Sequence, residues 1–153
     1  MLNKQPLAAG QVYFTGLPQL TPTTFQAPEK PYVIDYQQPK ILPFLSAWDN
    51  LLTFKATDLG AVEHLLDQLI KPLKTKNGAE LQPLDQLWIQ LVRGLLSQHQ
   101  LFIIKDFLDQ LPPKQARQLL VTITEITQHY QIITILTTQQ QAVFNTFESQ
   151  VIS

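Results

Sequence analysis

A chain of 153 residues is long enough to bury one real core. Its net charge of −1, with only 15% charged residues, argues against nucleic acid as the main partner, because phosphate recognition needs a clustered positive footprint. It has no cysteine, which excludes disulfides, thiolate-ligated zinc and cysteine nucleophiles.

No run approaches the ~18 apolar residues of a membrane span. The opening MLNKQPLAAG has no apolar stretch long enough for a signal peptide, so the cytoplasm is the expected compartment. No repeat recurs at a fixed period. Residues 10–16, GQVYFTG, predict a short strand between glycines, and the proline-rich residues 17–31 predict a loop. PYVIDY predicts a buried strand centred on Tyr32, Val33 and Ile34. Pro39 and Pro43 make the following passage turn-rich, and Ser46 or Asp49 is positioned to cap a short helix through Leu52.

Val62, Leu65, Leu66, Leu69, Ile70 and Leu73 recur at helical spacing, with Asp58 as an N-cap. Leu84, Leu87, Trp88, Leu91, Val92, Leu95 and Leu96 form the clearest amphipathic stripe. LFII, residues 101–104, predicts a fully apolar strand. Pro112 and Pro113 suit the first turn of a helix whose inner face carries Ala116, Leu119, Leu120, Ile123 and Ile126. IITIL, residues 132–136, predicts another buried strand, and a last helix is expected from about Gln139 to the end. Apolar strands alternating with amphipathic helices specify an α/β fold with a mostly parallel sheet. Residues 37–98 carry no convincing strand and read as a helical insertion.

In this order the pieces resemble the nucleotide-binding domain of ABC transporters. GQVYFTG looks like the glycine-strand-glycine segment after the P-loop helix. YQQPKILPFLSAWDNLL resembles the Q-loop and the passage behind it, with Gln37 at the family glutamine. ELQPLDQLWIQLVRGLLSQ is similar to the signature motif and its helix, LFIIKDFLDQL to the Walker B strand and D-loop, and IITILTTQQQAVF to the switch strand and loop. The resemblance implies a reduced P-loop NTPase-like fold in one domain, residues 1–153. Residues 1–36 and 99–153 would form the α/β core, and residues 37–98 the Q-loop and helical subdomain.

The departures carry the functional expectation. GxxxxGK[ST] occurs nowhere in the chain, and on this alignment it would lie before Met1. Leu81, Gln82, Pro83, Leu84 and Asp85 stand at the signature; Pro83 has no N–H, Leu84 is bulky, and Asp85 adds negative charge. Lys105 occupies the position of the aspartate that holds Mg²⁺, and an ammonium repels a hard cation. Asp106 occupies the catalytic glutamate position, Pro112 that of the D-loop aspartate, and Thr138 that of the switch histidine. Catalytic residues, metal ligands and tightly bound ATP or magnesium are therefore not expected.

The simpler reading of Asp106 and Asp109 is a salt bridge to Lys105 plus a cap for the helix at the prolines. Gln37 reads as a solvated loop residue, and Trp88 as core. His64, His99 and His129 share no ligand spacing. Ile41, Leu42, Phe44, Leu45 and Trp48 form an apolar cluster where the family accepts a coupling helix, so they are the candidate partner-binding residues. Loss of the P-loop strand from inside the sheet, beside the Walker B strand, would make LFII and IITIL pair directly or leave an edge to be covered, which favours association.

The expected function is a non-catalytic, ABC-ATPase-like interaction subunit of a transporter assembly. Its partners would be a second copy, an ABC ATPase or a permease, through which it would sit at the inner face of the membrane. The alternatives are a subunit that binds nucleotide without normal hydrolysis, and a truncated or decayed ATPase.

Overall fold

The computed structural model describes residues 5–16, 25–26, 30–52 and 59–152. They fall into two compact units, residues 1–35 with 100–153, and residues 36–99.

In the first unit four strands form one parallel sheet: β1 (Val12–Thr15), β2 (Tyr32–Asp35), β3 (Leu101–Lys105) and β4 (Ile133–Thr137). Their order across the sheet is β1-β4-β3-β2. LFII and IITIL do pair directly, with Leu101 opposite Ile133 and Ile104 opposite Leu136. The sheet does not stop at β4, however. β1 lies on its far side, with Val12 opposite Thr134, and Val151 forms a parallel bridge to Phe14 beyond that. No place stands vacant between β3 and β4, and the chain's own first strand extends the sheet beyond β4.

Alternation along each strand sends Phe14, Ile34, Phe102, Ile104, Thr134 and Leu136 to one face, and Tyr13, Ile103 and Ile135 to the other. The second face joins Leu101 and Ile152 in a buried cluster, with Leu7 and Ile133 packed against it. Burying a side chain such as Ile152 stabilises by about 1.5–3 kcal/mol.

Two helices join β3 to β4. The first, of one turn, spans Phe107–Gln110, and the longer runs Pro113–Tyr130 with proline at its first position and Gln131 in the left-handed region at its end. Leu119, Ile123 and Ile126 are buried as expected; Ala116 and Leu120 are only half-buried, and Thr127 takes a buried place instead. The Thr127 hydroxyl lies 2.7 Å from the Thr134 hydroxyl, so each satisfies the other against the sheet. The helix cap is Pro112, with no side-chain cap, rather than either aspartate. The last helix is shorter than expected, Gln141–Thr146, followed by a 3₁₀ turn at Glu148–Gln150.

The second unit begins with a helix at Ala47–Leu51, whose N-cap Ser46 accepts a hydrogen bond from the Asp49 N–H at 3.0 Å. The expected cap Asp58 lies outside the described residues. Residues 59–73 are helical but not one regular helix. A 3₁₀ turn leads into a single α-turn, then a wide turn at Leu66–Ile70, then a 3₁₀ turn at Lys71–Leu73. The wide turn closes with the Lys71 N–H on the Leu66 carbonyl, before Pro72, which has no N–H to continue the ladder. It buries Leu65 and then Ile70, so Leu66 and Leu69 lose their expected inner places. The stripe helix, Pro83–Leu96, buries Leu87, Trp88, Leu91 and Val92, together with Ile89, Gln90 and Arg93.

Replacing Thr127 by Val leaves the Thr134 hydroxyl buried without its partner, which is expected to cost about 1–3 kcal/mol in a urea melt. Replacing both threonines by Val is expected to cost less than the single change, and a double-mutant cycle checks this.

Candidate functional site at the carboxyl ends of the strands

In an open α/β sheet, ligands bind outside the carboxyl ends of the strands, where neighbouring connections leave in opposite directions. Here β1 leads away to β2 at one edge, while β4 leads back to Val151 on the other side of β1. The switch point therefore lies at the ends of β1 and β4. The segment leaving β1 begins at Gly16 and continues Leu17-Pro18-Gln19-Leu20-Thr21-Pro22-Thr23-Thr24; residues 17–24 lie outside the described residues. A phosphate loop after this strand would need glycine and lysine where the chain has Thr21 and Pro22. The strand read as following the P-loop helix thus stands where a phosphate loop would begin.

Asp109 and the residues that follow β4 are bonded to one another at this edge. The Thr138 hydroxyl donates to Asp109 Oδ1 at 2.6 Å, and the Gln140 carboxamide donates to the same oxygen at 3.2 Å. The Gln139 N–H donates to Asp109 Oδ2 at 2.9 Å. Thr138 is 1% exposed and its hydroxyl also accepts from the Gln140 N–H at 3.1 Å. The Gln139 carboxamide donates to the Gly16 carbonyl at 2.8 Å, and the Thr138 N–H to the Thr15 carbonyl at 3.0 Å. Asp109 thus has donors on both oxygens and ties the turn after β4 to the helix after β3.

Lys105 pairs with neither predicted partner. Its Nζ lies 3.8 Å from Asp35 Oδ2, the residue opposite it in the β2–β3 register. Both strands end in a charged residue at the same level, and a parallel register brings those ends together. Asp106 adopts a left-handed backbone, φ 68°, and its N–H donates to the Thr137 hydroxyl at 3.0 Å. Aspartate tolerates that conformation better than most residues. Pro112 is exposed beyond this network. Among the described residues no three of His, Asp and Glu are grouped to hold a metal ion. One clear acidity shift falls on Tyr130, whose hydroxyl is pushed up by burial at the other end of the long helix.

The remaining predicted residues belong to the second unit. Gln37 is exposed. Leu81 and Leu84 are buried, Gln82 caps the stripe helix, Pro83 is its first residue, and the Asp85 carboxylate accepts from the Gln82 N–H at 3.2 Å. The signature stretch therefore forms a capping box of its own helix. The same helix grips the chain beyond Gln37: Gln90 accepts from the Lys40 N–H at 3.3 Å, and Arg93 donates to the Lys40 carbonyl at 2.6 Å.

Phe44 is 75% exposed and Leu42 43%, whereas Ile41, Leu45 and Trp48 are half-buried. The Lys74 ammonium lies 5.4 Å from the centre of the Trp48 ring. A buried asparagine, Asn50, holds this loop from inside. It accepts from the Leu42 N–H at 2.7 Å and donates to the carbonyls of Leu42, Leu45 and Ser46. Gly78 closes the other side, donating to the Leu45 carbonyl at 2.7 Å; a Cβ there would fall 2.3 Å from the Leu42 carbonyl oxygen. Asn50 and Gly78 were missed by sequence reasoning, as were Asp35, Gln139 and Gln140, because their roles depend on contacts distant in the chain.

No protein-family model matches the chain, and no curated protein matches it. Solved structures do. CbiO1 of Clostridium perfringens, part of the ABC transporter complex cbiONQ, superposes with a TM-score of 0.58 at 15% identity over 71% of this chain and 47% of that one. The ATP-binding cassette MJ0796, a dimer in a post-hydrolysis state bound to ADP and Pi, gives 0.54 at 16% identity over 75% and 54%. The chain spans about half the length of these two structures.

A partly exposed ion pair contributes at most about 1 kcal/mol. Lys105→Ala is therefore expected to shift the urea midpoint only slightly, whereas Lys105→Asp sets a second carboxylate against Asp35 and is expected to lower it clearly. Equal effects would show that the pair does not form. The parallel α/β sheet with its covering helices is an ABC-ATPase-like, P-loop NTPase-type fold.

Proposed function

We propose that this chain is a non-catalytic relative of ABC ATPase subunits that works by binding other components of a transporter. The observation that carries this is the closed edge. Where the fold takes nucleotide, Asp109, Thr138, Gln139 and Gln140 bond to one another, and Lys105 bonds to Asp35. Triphosphate binding relies on backbone N–H groups, a lysine and a hydroxyl that reaches Mg²⁺. The segment after β1 has prolines at positions 18 and 22, which offer no N–H, and lacks the lysine. The residues present do not fit Mg-ATP, and no catalytic step is assigned to them.

The interaction half of the proposal rests on the Leu42–Phe44 loop. An exposed aromatic on a loop clamped by Asn50 and Gly78 presents its ring with little backbone-ordering cost on binding. The neighbouring cleft, about 190 Å³, is lined by Trp48, Glu63, Leu66, Asp67, Lys71 and Lys74. Apolar anchors with a charged rim suit an amphipathic helix of a permease, and a second copy or an intact ATPase is the other partner. No described helix is long and apolar enough to cross a membrane, and the proposed location is the cytoplasmic face, reached through the permease.

The test is affinity capture of the tagged chain from detergent-solubilised cells of its source, read by mass spectrometry, beside a variant carrying Phe44→Ser and Trp48→Ser. The wild type is expected to bring down a permease and an intact ATPase, and the folded variant to lose the permease. Recovery of neither would reduce the transporter reading to ancestry, and a variant that keeps the permease would place the docking surface elsewhere.

A further inference from the structure

A cleft of about 420 Å³ lies in the first unit, between the one-turn helix Phe107–Gln110, the start of the long helix Pro113–Tyr130 and the helix Gln141–Thr146. Small-molecule sites run ~300–1,000 Å³, so the cleft has room for a small ligand. Leu108 and Leu111 form its floor, and both are buried. Its sides carry Ala116 and Leu120, one turn apart on the long helix, and Val143 from the helix Gln141–Thr146; all three are half-buried. Aliphatic side chains left half-open keep apolar surface that a ligand tail would take out of water. Two charged residues also reach the cleft, and they differ in kind. The Asp109 carboxylate is already met by the Thr138 hydroxyl, the Gln139 N–H and the Gln140 carboxamide. That carboxamide donates to the Leu108 carbonyl as well, at 2.9 Å, which holds this wall in place. Arg117 is exposed and forms no ion pair with a described residue.

We propose that this cleft binds a small aliphatic monocarboxylate, with its tail against Leu108, Leu111, Leu120 and Val143 and its head on Arg117. The charges select the head group. A guanidinium fork matches the two oxygens of a carboxylate. An amine head would be repelled by Arg117 and would find the Asp109 oxygens already bonded. A polyanion such as a triphosphate would meet one cation and, across the cleft, the negative charge of Asp109. The apolar floor and sides select the tail, because each methylene moved onto them leaves water. Binding of this kind breaks none of the bonds among Asp109, Thr138, Gln139 and Gln140. It uses no residue of the docking loop, so it stands or falls separately from the transporter reading.

The test is calorimetric titration of the full chain with octanoate, hexanoate and octanol at neutral pH. Octanoate is expected to bind saturably, with a Kd at or below about 1 mM. Hexanoate should bind about fifteenfold more weakly, since each buried methylene is worth about fourfold. Octanol keeps the tail without the charge and should bind about fivefold more weakly than octanoate, the scale of an exposed ion pair. Arg117→Gln, at an exposed position, is expected to bring octanoate down to the level of octanol and to leave octanol unchanged. Ala116→Phe fills the cleft and is expected to abolish both, with circular dichroism checking that it is folded. Should Ala116→Phe unfold, amide shifts of the wild type decide the location: shifts induced by octanoate at residues 108–120 and 140–143 support the cleft, and shifts centred elsewhere overturn it. No saturable binding of octanoate overturns the proposal. So does a folded Ala116→Phe chain that binds as the wild type does, octanoate binding that Arg117→Gln leaves unchanged, or equal binding of hexanoate and octanoate.

Discussion

All four strands of the sheet run the same way, so every carboxyl end falls along one edge. That single constraint decides what the first unit can do. The apolar middles of β1, β3 and β4 are consumed by packing on both faces, Val33 of the edge strand β2 stays exposed, and the ends deliver Thr15, Asp35, Lys105 and Thr137 to one rim with the turns that follow them. Buried or half-buried polar groups at such a rim must find partners. They are satisfied either by a ligand or by one another. In this chain Asp109, Thr138, Gln139 and Gln140 satisfy one another, and Lys105 meets Asp35.

A site built for phosphate and metal keeps like charges and open donors close together, which costs stability when the ligand is absent. Here the lysine opposite Asp35 and the threonine beside Asp109 make internal bonds instead. In the second unit the polar residues do another task. Asn50 and the glycine at 78 spend their bonds and their lack of bulk on holding a loop still, and the loop carries an apolar ring out into solvent.

Much of this was legible in the sequence, and the exceptions share a cause. LFII and IITIL announce themselves because strands buried on both faces read as continuous apolar runs. The stripe from Leu84 to Leu96 and the proline start of the long helix follow from local periodicity and local geometry. The wide turn at Leu66–Ile70 does not, because apolar spacing alone cannot tell a five-residue step from a regular one. Asp35 was passed over as the partner of Lys105 because its place depends on which strands are neighbours. Ile152 fits into the sheet where a helix to the end was expected, since a single bridge at Val151 carries too little pattern to count as a strand. Where the first strand stands in the sheet, and so which segment lies at the switch point, also waited for the topology.

The most direct measurement is calorimetric titration of the full chain with Mg-ATP. The closed rim predicts no heat of binding up to ~1 mM nucleotide, an affinity weaker than about 4 kcal/mol of binding free energy. A saturable isotherm within that range would contradict it, and would mean that the bonds among Asp109, Thr138, Gln139 and Gln140 open to admit a ligand.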